Sequence, residues 1–131
     1  MKKYIVLAVI LLCALLVSAQ KAPGKPKAKP KPLVTFVELG SVNCVPCKMM
    51  KPVMKEIEDI YGEKVEVIFY DVGQSKHKAM GDKYKVRVIP TQVFLDKDGK
   101  EFHRHEGFYP KDEIVKLIDK QLGITRKPSK K

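Results

Sequence analysis

Two cysteines three residues apart, in Cys44-Val45-Pro46-Cys47, are the residues of this chain best placed to do chemistry. They follow an apolar run, LVTFVEL (33–39), and open a segment with helical periodicity. Thiols in the first turn of a helix lie close enough to close a small disulfide ring and open it again. The backbone N–H groups and positive dipole end of a helix start favour a thiolate there. Cys44 is thereby set up as a nucleophile near neutral pH, and Lys48 adds positive charge nearby. A C-x-x-C pair is also half of a zinc site, but the sequence has no second C-x-x-C and no C…H pair at finger spacing. The spacing therefore reads as a redox dithiol, calling for no metal and no cofactor.

The elements that must position this pair follow from hydrophobic pattern. Residues 33–39 suit a strand covered on both faces. From Cys44 to Tyr61, Met50, Val53, Met54, Ile57, Ile60 and Tyr61 recur at helical spacing, with Pro52 inside the helix and Gly62 as its stop. VEVIFYDV (65–72) is a second buried strand, and 76–84 a short helix. TQVFLD (91–96) and KEFHRHEG (100–107) flank Lys97-Asp98-Gly99, a hairpin signal. Tyr109-Pro110-Lys111-Asp112-Glu113 opens a last helix whose apolar face is Ile114, Leu117, Ile118 and Leu122, ending at Gly123. Asn43 is the expected cap of the dithiol helix.

Composition sets the context of that domain. Lys2-Lys3, the 14-residue apolar stretch from Tyr4 to Val17 and the small residues Ser18 and Ala19 have the pattern of a secretory signal over 1–19. The apolar stretch is short for a membrane span, which needs about 20 residues, so an uncleaved anchor is the lesser reading. Cys13 lies in this stretch, so two of the three cysteines remain in the mature chain and both belong to the dithiol. Such a protein works outside the cytoplasm, where disulfides persist. Residues 20–32 are a Lys/Pro-rich linker favouring extended polyproline structure, 33–123 form the one domain, and 124–131 read as a frayed basic tail.

The net charge of +11 does not mark a nucleic-acid binder. Between Leu33 and Gly123 the 15 Lys and Arg residues balance 15 Asp and Glu, and the excess sits in the flanks. Those flanks could meet an anionic membrane surface, or simply serve solubility and spacing. His103 and His105 share a strand face but have no carboxylate cluster beside them, so a solvated face is expected. His77 reads as a surface residue. Met49, Met50 and Met54 at helical spacing read as core rather than a copper site. Lys76, Lys78, Lys83, Lys85 and Arg87 read as a solvated basic face.

Taken together these motifs resemble the thioredoxin superfamily over about Leu33 to Gly123. Cys44-Val45-Pro46-Cys47-Lys48 is similar to the family's active-site turn, and Pro52 falls at its helix kink. Tyr84-Lys85-Val86-Arg87-Val88-Ile89-Pro90-Thr91 resembles its cis-proline loop, while Asp98-Gly99 and Gly107 match its hairpin and the glycine before its last helix. The resemblance implies an α/β thioredoxin-like fold with a central four-stranded mixed sheet flanked by helices. The expected strand order is 65–72, 33–39, 91–96, 100–107, with the last pair antiparallel to the rest, and the family's further first strand and helix replaced by the linker. The sequence departs from the family in having Asn43 for the usual Trp, Val45 for the usual Gly, and Phe69 where a lysine often stands. Glu38 occupies the place of its buried Asp.

The resemblance implies a mechanism and roles. Cys44 attacks a substrate disulfide, Cys47 resolves the mixed disulfide, and Glu38 takes the Cys47 proton. Pro90 in cis would present the Ile89 backbone to an extended substrate, with Val45 and Pro46 forming the surface around the thiols. Expected partners are proteins with disulfides and a membrane or soluble thiol electron donor, and the protein is expected to be a monomer. Pro46 is shared with the reducing turn of thioredoxin itself, whose potential is near about −270 mV, against about −120 mV for dithiol oxidants. Reduction of protein disulfides is therefore the favoured direction. A dithiol oxidase or isomerase, and a copper chaperone using Cys44, Cys47 and a histidine, are the alternatives.

Overall fold

The computed structural model describes residues 30–126. Residues 1–29, on which the expected signal and most of the expected linker fall, and the last five residues lie outside that range. The elements run in the order β1 (Val34–Gly40), α1 (Val45–Tyr61), β2 (Val65–Asp71), α2 (Lys78–Lys83), β3 (Thr91–Asp96), β4 (Glu101–Glu106) and α3 (Lys111–Leu122). Short 3-10 turns at Gly62–Lys64 and Ser75–His77 lead into β2 and α2. The sheet order is β2-β1-β3-β4, the order the family resemblance implies. β1 pairs parallel with β2 and antiparallel with β3, and β3 pairs antiparallel with β4. Only β3 therefore opposes the rest. The expectation that both hairpin strands do so is corrected, because the tight turn at 97–100 reverses the chain a second time and β4 regains the direction of β1.

β1 is central and almost wholly buried because its two faces meet different cores. Val34 and Phe36 join Met50, Val53, Met54 and Ile57 of α1, Phe94 of β3, and Ile114 and Ile118 of α3. The Phe36 and Phe94 rings stack at 4.8 Å between centroids. On the other face Val37, Leu39 and Val93 pack with Tyr70, Val72, Met80 and Tyr84. Alternation along the strand then puts Glu38 and Gly40 on the α1 side with Phe36.

Local rules set the helix ends. Gly123, at φ 66°, takes the left-handed position that closes α3. Gly62, at φ 53°, ends α1. Pro52 lies within α1, as expected, and removes one N–H from its ladder. Ile60 and Met49, by contrast, are exposed and belong to no core. Both sit one position off the buried stripe Met50, Val53, Met54, Ile57 and Tyr61, which a 3.6-residue repeat turns toward the sheet. Ile124 packs against the main core and Arg126 binds Asp119, so the tail begins ordered rather than frayed.

Candidate functional site

The dithiol stands where β1 ends and α1 begins. Cys44 is the N-cap, in extended backbone at φ −90° and ψ 127°, and its sulfur accepts the Cys47 N–H at 3.4 Å. The cap expected of Asn43 is thus supplied by Cys44 itself, and the Asn43 N–H instead donates to Ser41 Oγ. Cys44 and Cys47 are joined by a disulfide, with Cα atoms 5.2 Å apart. Their exposure differs. Cys44 is half-buried at the surface, whereas Cys47 is 2% exposed and backs onto β1. A Cβ placed on Gly40 would lie 3.1 Å from the Cys47 sulfur, so the bare strand backbone is what lets the helix start sit this close.

The loop feeding the dithiol is tied from β2. Asp71 accepts from the Gly73 N–H at 3.2 Å and the Gln74 amide at 2.8 Å, and also from the Val42 N–H. These donors, Gln74 foremost, hold its carboxyl below the ordinary range. Across the sheet end, Leu39 pairs with Thr91, so the segment before β3 reaches the same edge as the dithiol loop. The Ile89–Pro90 peptide there is cis. Thr91 Oγ1 donates to Val88 O at 2.7 Å, and the Gly107 N–H donates to Pro90 O at 2.7 Å, fixing the loop on both sides. Val45, Met49, Val88 and Ile89 are exposed apolar residues in these two segments, Val45 at 70%.

Glu38 lies beneath, two residues before Gly40 on the same face, and is completely buried. Its strand neighbours are Phe69 on β2 and Gln92 on β3. Gln92 Nε2 donates to Glu38 Oε1 at 3.4 Å and to Gly107 O at 3.0 Å. Glu38 Oε2 has no hydrogen-bond partner among the described residues. Burial pushes the carboxyl up to about 8, with the Gln92 bond opposing in part. Gln92 was not legible as part of the site. The available signal was an amide at an inward position of TQVFLD, between Thr91 and Val93.

Other sequence expectations change. His103 and His105 are not a solvated face: both are half-buried and stack on Tyr109, at 5.8 and 4.1 Å between ring centroids. Their strand curls against the segment entering α3, and Tyr109 Oη meets His103 Nε2 at 3.2 Å. His77, expected at the surface, is half-buried with its ring edge against Tyr70. Of the basic face, Arg87 pairs with Glu106 at 3.1 Å and Lys83 lies over the Tyr84 ring. Among the described residues no group of three or more His, Cys, Asp or Glu is placed to hold a metal ion.

Comparison with known proteins agrees with this geometry. A family model described as a thioredoxin-like domain matches residues 19–122. Thioredoxin from Bacillus subtilis is 38% identical over 89 residues, covering 68% of this chain and 83% of that protein. Thioredoxin from Staphylococcus epidermidis is 35% identical with the same coverage. Chloroplastic thioredoxin Y of Oryza sativa is 28% identical over 91 residues, and the chain spans only 52% of its length. Among solved structures, a mutant thioredoxin from Halobacterium salinarum has a TM-score of 0.63 at 24% identity, covering 72% of this chain and 80% of that one. That last likeness is one of fold. With a C-x-x-C pair bonded at a helix start, an α/β mixed sheet and these relatives, the chain belongs to the thioredoxin superfamily and is a thiol–disulfide oxidoreductase.

Proposed function

We propose that the protein is exported and reduces disulfides in other proteins through Cys44 and Cys47. The observation that carries the residue roles is the asymmetry of the pair. The Cys44 sulfur is reachable and accepts a helix-start N–H, which favours its thiolate, while Cys47 is enclosed. The Cys44 thiolate attacks one sulfur of a substrate disulfide, and the other sulfur leaves with the electron pair. Glu38 takes the Cys47 proton. The Cys47 thiolate then attacks Cys44, forming the Cys44–Cys47 bond and releasing the second substrate thiolate. Two electrons pass to the substrate, and a thiol donor returns them. Ile89 and Pro90 in the cis-peptide loop, with Val45 and Pro46, form the surface that meets the substrate. Export rests on the basic start, apolar stretch and small residues of 1–19.

The test is a trapping experiment with a potential measurement. Cys44→Ser should abolish disulfide reduction, and Cys47→Ser should accumulate mixed disulfides through Cys44. Capture by the Cys44→Ser protein instead would reverse the roles. Equilibration against dithiothreitol should give a potential below about −200 mV, whereas a value near that of the strong oxidants would favour the oxidase direction. Fractionation of producing cells tests export: accumulation of the full-length protein inside the cytoplasm would contradict it.

A further inference from the structure

Gln92 is a fully buried amide in a position that an apolar side chain could fill. Its neighbours along β3, Val93 and Phe94, are core residues. Its Oε1 has no hydrogen-bond partner among the described residues, nor does Glu38 Oε2. Buried acceptors without partners forfeit the hydrogen bonds they would make in water, so an amide kept here needs a reason. The geometry supplies one. Nε2 is anchored on Gly107 O, the backbone turn between β4 and α3, and from that anchor it reaches Glu38 Oε1.

We propose that Gln92 is a positioning residue for the redox reaction: it holds Glu38 by Oε1 and leaves Oε2 as the oxygen that takes the Cys47 proton. This rests on the assignment of Glu38 as proton acceptor. An amide N–H aimed at a carboxylate favours the ionised form and opposes the effect of burial. Without it, the carboxyl would stay protonated to higher pH, and a smaller fraction would be ionised to accept a proton near neutrality. The other groups on this face do not substitute for it. Phe69 of β2 is apolar, as are Ile114 and Ile118 of α3 in the core on this side of the sheet. Of the titratable groups there, Tyr61 bonds Asp119, Tyr109 and His103 meet each other, and Cys47 of α1 is the proton donor. The cross-strand neighbour of Gln92 on β4 is His105, whose Nε2 meets Phe108 O at 3.2 Å and whose ring stacks on Tyr109.

Two measurements test this. In the oxidised native protein, the Gln92 side-chain amide signals should move with pH through one inflection near about 8, the value that burial gives Glu38. The inflection should be absent in Glu38→Gln. Amide signals that do not titrate in the native protein would overturn the proposal, whatever the folding of any Gln92 variant. In stopped-flow resolution of the mixed disulfide, Gln92→Leu should move the pH inflection upward. Each unit of that move slows the step at pH 7 about tenfold, with recovery at higher pH. The double variant with Glu38→Gln should match Glu38→Gln alone. An unaltered pH profile in Glu38→Gln would refute Glu38 as acceptor. A flattened profile there, with a native profile in Gln92→Leu, would refute Gln92 alone.

Discussion

Glu38 and Asp119 are both buried carboxyls, and they are set up in opposite ways. Glu38 has one long hydrogen bond from a neutral amide, and burial drives its carboxyl up to about 8. Asp119 is also withdrawn from water, yet it accepts from Tyr61 Oη at 2.7 Å and from Arg126 Nε at 2.6 Å. Burial raises its carboxyl, but Arg126 and Tyr61 together outweigh it and hold the group below the ordinary range. Burial alone therefore does not fix the charge of a carboxyl. Partners do, and the protein supplies them at the end of α3 and withholds them under the dithiol.

The sharpest way to break this comparison is stability against pH. Glu38 binds its proton more tightly folded than unfolded, so between its ordinary value near 4.5 and about 8 the folded form holds a proton that the unfolded form has lost. Stability should fall as pH rises through that window, by about 1.4 kcal/mol per pH unit at most, and level off above it. Glu38→Gln should remove the slope and leave the oxidised protein more stable than native at pH 8. Denaturant titrations at several pH values measure this, and equal slopes in the two proteins would contradict the buried-acid reading.

Asp119 should behave in the opposite sense. Its contribution is present above the ordinary range of an aspartate and is lost as pH falls through its lowered value. Asp119→Asn should therefore destabilise at pH 7, by about 1–3 kcal/mol, and flatten the acid limb of the stability curve. Chemical denaturation reads both effects. Smaller again is Arg126→Gln, since this side chain is nearly half exposed. Its expected signature is an acid transition moved to higher pH, seen by thermal melting in acid, with little change at neutrality.

Legibility in the sequence followed the range of the contacts involved. The dithiol, its helix and the hairpin are written in local spacing, and the sheet order followed from strand patterns plus the family resemblance. β4 direction needed only the second reversal at Gly99 to be followed through. Tyr61 and Asp119 are 58 residues apart, and nothing local in either helix announces that they meet. The stacking of His103 and His105 on Tyr109 was hidden because alternation assigns a face but not what covers it. Cys44 displaced Asn43 as cap because the thiol one residue later was already at the helix boundary. Glu38 was legible as buried from its apolar run. Its Gln92 partner was not, since one amide in a strand looks like an ordinary polar position until register puts it opposite an acid.

The contact between Gly40 and Cys47 has a mechanical consequence. The inner sulfur rests against strand backbone with no side chain between them, so it has nowhere to retreat on that side. Cys44, at the helix boundary, is only half-buried. When the bond between them parts, travel falls to the outer residue. The pair works as a hinge with one fixed leaf, and any residue larger than glycine at position 40 would press on the fixed one.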